Sequence, residues 1–118
     1  MLIDSQNRIW IAPYNEGIKC FTHNGELVKA YTTHNSDLSS NVVLSLAERE
    51  GKIWIGTDGG GINILEPETG RLSLLEHIPG GDNYSLPATS IFCLYNDRNN
   101  NMWAGSIRNG LILSLIHI

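Results

Sequence analysis

Two stretches of this 118-residue sequence have residue types and spacings that could do chemistry. Gly56-Thr57-Asp58-Gly59-Gly60-Gly61 has the glycine spacing of a loop that cradles phosphate. Ile62 stands where such a loop needs Lys, and no helical pattern follows, so the stretch reads as a tight turn needing positive φ. Asp97-Arg98-Asn99-Asn100-Asn101 opens like a calcium loop, but position six is Met102 instead of glycine and position twelve is Arg108 instead of glutamate. It reads as a hairpin turn. His23, His34 and His77 are isolated from one another and from the cysteines, without the spacing of a zinc site. There is no G-x-S-x-G elbow and no Ser, His and Asp set, so no catalytic residue, metal or cofactor is expected.

The elements that carry these stretches follow from composition and period. Hydrophobic residues make up 42% and charged residues 17%, which excludes a disordered or fibrous chain. Lys+Arg 8 against Asp+Glu 12 gives a net charge of −4, so neither a nucleic-acid partner nor direct membrane contact is expected. No apolar run approaches the roughly 18 residues that span a bilayer. Met1-Leu2-Ile3 leads straight into Asp4, so no signal peptide is expected; a cytosolic protein or a missing natural N-terminus is implied.

A repeat organises the rest. Arg8-Ile9-Trp10-Ile11-Ala12 is followed by Lys52-Ile53-Trp54-Ile55-Gly56 and by Asn101-Met102-Trp103-Ala104-Gly105, with Trp-to-Trp spacings of 44 and 49 residues. Seven residues after each Trp stands a glycine (Gly17, Gly61, Gly110), followed by Ile18, Ile62 or Leu111. A polar turn precedes each Trp: 4–7, 48–51 and 97–100. The inner strands Val42–Leu46 and Ser90–Leu94 are apolar on both faces and expected to be buried. The Trp strands follow at 8–12, 52–57 and 101–105. Third strands fall at Ile18–Phe21, Ile62–Leu65 and from Leu111. After the hairpin signals Asn24-Gly25 and Thr69-Gly70, outer strands fall at Glu26–Tyr31 and Arg71–Leu75. Four strands in about 45 residues is the size of a propeller blade. The expected fold is therefore all-β, a partial β-propeller of about two and a half four-stranded blades. Residues 1–31 form a partial first blade, 32–75 a complete second and 76–112 a partial third. Residues 113–118 break the pattern and read either as a non-native tail or as a strand that lacks its turn. Trp10, Trp54 and Trp103 are expected to pack between blades. Cys20 and Cys93 are expected as buried core residues in different blades, too far apart for a disulfide.

The stretch Lys52-Ile53-Trp54-Ile55-Gly56-Thr57-Asp58-Gly59-Gly60-Gly61-Ile62-Asn63 resembles the two-component regulator propeller repeat. Asp37-Leu38-Ser39-Ser40-Asn41-Val42-Val43 and Ser85-Leu86-Pro87-Ala88-Thr89-Ser90-Ile91 look like two copies of its approach to the inner strand. The resemblance covers residues 2 to about 112. Units one and three depart from it at Ala12-Pro13 and Gly105-Ser106. It implies an extracytoplasmic, periplasmic sensor segment of a large, dimeric hybrid two-component histidine kinase, many of which detect oligosaccharides. The remaining blades of the propeller are then its neighbours, and the kinase lies outside this chain.

On such a frame, function falls to loops held by rigid strands. The connections from strand two to strand three gather Tyr14-Asn15-Glu16, Asp58-Gly59-Gly60 and Ile107-Arg108-Asn109 on one face, beside 32–40 and 77–88. They differ between units while the flanking Trp and Gly do not. Tyr14, Asn15, Glu16, Asp58, Arg108 and Asn109 suit a polyhydroxylated or anionic sugar, one aromatic for stacking and the rest for hydroxyls. Two other readings stand beside this one. A protein-binding propeller would use Pro13, Tyr14, Tyr84 and Leu86. A streptogramin-lyase-like enzyme would need His34 or His77 with acidic partners.

Overall fold

A computed structural model describes residues 1–75, 90–108 and 112–117, with 106–108 and 112–117 as backbone only. Tyr84, Leu86 and His77 lie outside the described residues. The elements are β1 (Leu2–Ile3), β2 (Ile9–Ile11), β3 (Ile18–Phe21), β4 (Leu27–Tyr31), β5 (Val43–Arg49), β6 (Lys52–Thr57), β7 (Ile62–Glu66), β8 (Arg71–Leu75), β9 (Ser90–Asn96), β10 (Met102–Arg108) and β11 (Ile112–His117). They form antiparallel meanders in the orders β1-β2-β3-β4, β5-β6-β7-β8 and β9-β10-β11. This is an all-β partial propeller: two four-stranded blades and three strands of another, with no helix among the described residues. Ile112–His117 lies along β10 from Arg108↔Ile112 to Trp103↔His117 and so continues the third meander.

The blades pack through the two-residue period of their strands. Along β6, Ile53 and Ile55 point one way and Trp54 the other. Ile53 and Ile55 join Leu65 and Leu72 in a core with Trp10, Ile18, Cys20, Tyr31 and Leu38, the seam between blades one and two. Trp54 joins Ala47 and Ile62 against Ile91, Met102 and Ala104, the seam between blades two and three. Each of these seams therefore sets the Trp face of one blade on the aliphatic face of the next. Trp10 is 1% exposed and stacks on Tyr31 with ring centroids 6.4 Å apart. Each fully buried Ile or Leu contributes about 2 kcal/mol to such a seam. Glycine permits the close approach. A Cβ on Gly56 would stand 2.1 Å from Ser45 Oγ and 2.8 Å from Ile91 O.

Three sequence expectations need correcting. The inner strands are not buried on both faces, since Leu44 is 42% exposed and Phe92 39%. For Leu44 and Phe92 the cause is a β-bulge. The pairing steps from Val43↔Thr57 to Ser45↔Gly56, leaving Leu44 over, and from Ile91↔Ser106 to Cys93↔Gly105, leaving Phe92 over. Cys93, next to the second bulge, is exposed, whereas Cys20 is buried; both are free thiols. The polar turn before Trp54 is shorter than expected. Glu48 and Arg49 continue β5, and only Glu50-Gly51 turns the chain, at φ 52° and 79°.

Candidate functional site

The rim where the β2–β3 and β6–β7 loops emerge is built by a lead-in segment, 32–42, that runs beneath both. Side chains fasten that segment. Asn35 Nδ2 donates to Ala30 O at 2.9 Å, Ser36 Oγ to Thr32 O at 2.6 Å, and Asn41 Oδ1 accepts from Thr33 N at 2.9 Å. Leu38 anchors the segment in the first seam. The first loop bonds it through Gly17 N to Asn41 O (2.9 Å), the second through Asp58 N to Val42 O (2.8 Å). Because Asn41 and Val42 are consecutive, the two loops stand side by side on one rim.

Within the first loop, Tyr14 is 86% exposed, and Asn15 and Glu16 are exposed as well. Asn15 takes φ 57° and Gly17 φ 71°, and a Cβ on Gly17 would meet Tyr31 O at 2.1 Å. Gly17 is thus a backbone requirement of the loop. Asp58 in the second loop does more than line the rim. Its Oδ1 accepts from Ser90 Oγ at 2.7 Å, and Ser90 Oγ accepts from Gly59 N at 3.0 Å, a clasp from blade two to the first strand of blade three. Arg108 ends β10 at the same end of its blade. Asn109 and Gly110 lie outside the described residues.

Sequence reasoning missed the polar groups that support this rim. Asn63 is fully buried. Its Oδ1 accepts from Ser39 N at 3.3 Å and its Nδ2 donates to Ser39 Oγ at 2.7 Å, while Ser39 Oγ donates to Gly60 O at 2.7 Å. Thr57, also fully buried, donates its hydroxyl to Gly61 O at 2.8 Å. The available signal was a lone Asn between Ile62 and Ile64.

The opposite face has its own chemistry. Asp4 is buried and accepts from Trp10 Nε1 (2.8 Å), Arg8 Nε (2.7 Å), and the backbone N–H of Gln6 and Arg8 (2.9 Å each). Burial alone would raise its pKa. The Trp10 and Arg8 side-chain bonds, with the two backbone bonds, outweigh burial and hold the carboxyl below its ordinary value. Asp97 repeats the arrangement with Trp103 Nε1 at 2.9 Å and the N–H groups of Asn99 and Asn101. Its pKa is also lowered, first by the Trp103 bond. A cleft of about 280 Å³ opens on this face between blades one and two, lined by Ser5, Arg8, Glu50, Lys52, Glu66 and Glu68 among others. Its charges are already engaged: Arg8 pairs with Asp4 and Glu68, Lys52 pairs with Glu66, and Glu50 accepts from Asn100 Nδ2 at 2.8 Å. No group of three or more His, Cys, Asp or Glu among the described residues could hold a metal ion.

Fold and rim together define a propeller segment with a loop-bearing face. Residues 37–59 and 85–108 match the two component regulator propeller family. No curated protein matches the chain. Among solved structures, the chain is similar to the extracellular domain of BT3049 from B. thetaiotaomicron, which carries the name hybrid two component system. That likeness has TM-score 0.69 and 24% identity over 98% of this chain and 16% of that one. Two structures of the extracellular domain of BT4673, from the same organism, are also similar. One carries the name one component system, with TM-score 0.64, 20% identity, and 98% of this chain against 17% of that one. The other carries the name hybrid two component system, with TM-score 0.59, 25% identity, and 98% against 15%. The chain spans about one sixth of the length of these domains.

Proposed function

We propose that this chain is part of the extracytoplasmic, ligand-sensing propeller of a hybrid two-component sensor, and that the loop rim recognises a glycan-derived oligosaccharide. The carrying observation is the pair of propeller repeats, on a fold that overlays extracellular domains of two-component systems across 98% of the chain. The rim supplies an exposed aromatic ring, a carboxylate and amide groups on a stiff, hydrogen-bonded base, which is the chemistry that fits sugar hydroxyls. The reading makes the segment a binding element rather than a catalyst. Periplasmic placement, dimeric signalling and the kinase belong to the larger protein it implies. The test is calorimetric titration of the protein with neutral and anionic oligosaccharides. Saturable binding that is weakened by Tyr14→Ala or Glu16→Ala supports the reading. Absence of binding to every sugar, with binding of a peptide partner that needs Tyr14, overturns it in favour of a protein-recognition propeller.

A further inference from the structure

The two seams of blade two close differently at the rim. Aligned on their tryptophans, Tyr14 of the first loop and Asp58 of the second hold the same place. Val42 and Ser90 also hold one place, each directly ahead of the pairs Val43↔Thr57 and Ile91↔Ser106. Between blades one and two, Val42 has no polar side-chain atom, and Tyr14 is exposed. Between blades two and three, Ser90 Oγ donates to Asp58 Oδ1 at 2.7 Å and accepts from Gly59 N at 3.0 Å. Since the first seam closes on a valine, a hydroxyl at this place is not a requirement of blade stacking. Ser39 and Thr57 hold the far end of the second loop by the carbonyls of Gly60 and Gly61. Gly59, at φ 80° with nothing within 4 Å of where a Cβ would stand, depends on Ser90 instead. Asp58 spends Oδ1 on that serine, and its Oδ2 accepts no bond from the described residues.

We infer that Ser90 is a positioning residue of the rim: from blade three it presets Asp58 of blade two, so that Oδ2 meets a hydroxyl of the bound sugar. This rests on the glycan-sensing reading above and adds to it a residue that touches no ligand. An ionised carboxylate only accepts, so its partner in the ligand is a donor, as a sugar hydroxyl is. An aspartate at the head of a three-glycine loop would otherwise give up rotamer and backbone freedom when the ligand arrives. The two Ser90 bonds settle both before binding, which is the general advantage of a preorganised site. They also make any grip on Asp58 a matter for two blades, because the carboxylate belongs to one and the hydroxyl that fixes it to the next.

The experiment is a calorimetric titration with cello-, xylo-, manno- and maltopentaose and with chondroitin and heparin tetrasaccharides. It is run on the wild-type protein, Ser90→Val, Ser90→Thr, Asp58→Ala and the double variant of Asp58→Ala with Ser90→Val. Valine is the residue the fold already carries at the aligned place, Val42, so Ser90→Val keeps the seam. It matches threonine in shape, and the two Ser90 variants therefore differ by one hydroxyl. The sugar that binds the wild type best should lose about tenfold in affinity in Ser90→Val and keep it in Ser90→Thr. In the Asp58→Ala background, Ser90→Val should cost nothing further, because the group it positions is gone. Equal affinity in the wild type and Ser90→Val, or losses at the two sites that simply add, overturns the positioning role and leaves the sensor reading standing. Failure of every sugar to bind the wild type overturns that reading, and this role with it.

Discussion

The turns that lead into the three Trp strands do the same job with different chemistry. In blades one and three, five residues separate the first two strands, 4–8 and 97–101. An aspartate at the first of the five closes the turn on itself. Asp4 and Asp97 cap the turn N–H groups with Oδ1 and reach the indole of their own blade with Oδ2, and Asn7 and Asn100 take φ 62° and 61° at equivalent places. In blade two the turn is Glu50-Gly51, both left-handed, the backbone form that suits the twist of a two-residue hairpin. The residue six before Trp54 is Glu48, and it has no turn to close. One methylene longer than aspartate, it reaches the neighbouring blade instead, accepting from Ser5 N at 2.9 Å and Ser5 Oγ at 2.6 Å. Its own carbonyl accepts from Asn96 Nδ2 of blade three at 3.0 Å. The same position therefore acts within a blade as aspartate and between blades as glutamate. Which role it takes depends on whether the backbone already makes the turn.

Substitutions can break this contrast in graded steps. Asp4→Ala should have the largest effect, about 3 kcal/mol in urea denaturation, because it strands the buried Trp10 indole and the Arg8 guanidinium together. Asp97→Ala should cost less, since Asp97 and Trp103 are only half-buried. Acid should do reversibly what these variants do permanently. Both carboxyls have folded pKa values below 3.8, so their stabilisation is complete above that value and is lost as pH falls through the lowered ones. Melting temperature should hold from neutral pH down to about 4 and then drop, with a smaller drop in Asp4→Asn. A flat profile to pH 2 would refute the role given to these turns. Gly56→Ala should cost about 2 kcal/mol by forcing blade two from blade three at Ile91, although the aligned residue of blade one is Ala12. Glu48→Gln should be mildest, about 1 kcal/mol, and should leave the hairpin at Glu50-Gly51 intact by NMR.

Much of the architecture was legible because it rests on spacing. The Trp and Gly registers mark the blades. The alternation Ile53-Trp54-Ile55 carries the information that one strand serves two seams, since strand side chains alternate by rule. The bulges were not legible. Leu44 and Phe92 sit in apolar runs, and an extra residue in a run of apolar residues leaves the pattern unchanged, which is also why Cys93 read as buried. At the rim, Tyr14 and Asp58 stood out by differing between aligned loops. Ser39, Asn63 and Ser90 did not, because a single polar residue in a loop or a strand has no period of its own. The pairing of Ser39 with Asn63 across 24 residues exists only once blade two is folded, and that of Asp58 with Ser90 across 32 only once blades two and three are stacked.

The unlike faces of each seam have a consequence for how such a protein can change. A contact that joins a Trp face to an aliphatic face is directional, like tongue to groove, and it is satisfied by any further unit that presents the same two sides. Lengthening or shortening by whole units then leaves both new joints chemically identical to the old ones. A cut at any other phase would bring two tongues or two grooves together. The natural step of variation in this architecture is thus the 44- to 49-residue unit between successive tryptophans, and insertions of other lengths should be confined to the rim loops, where no joint is made.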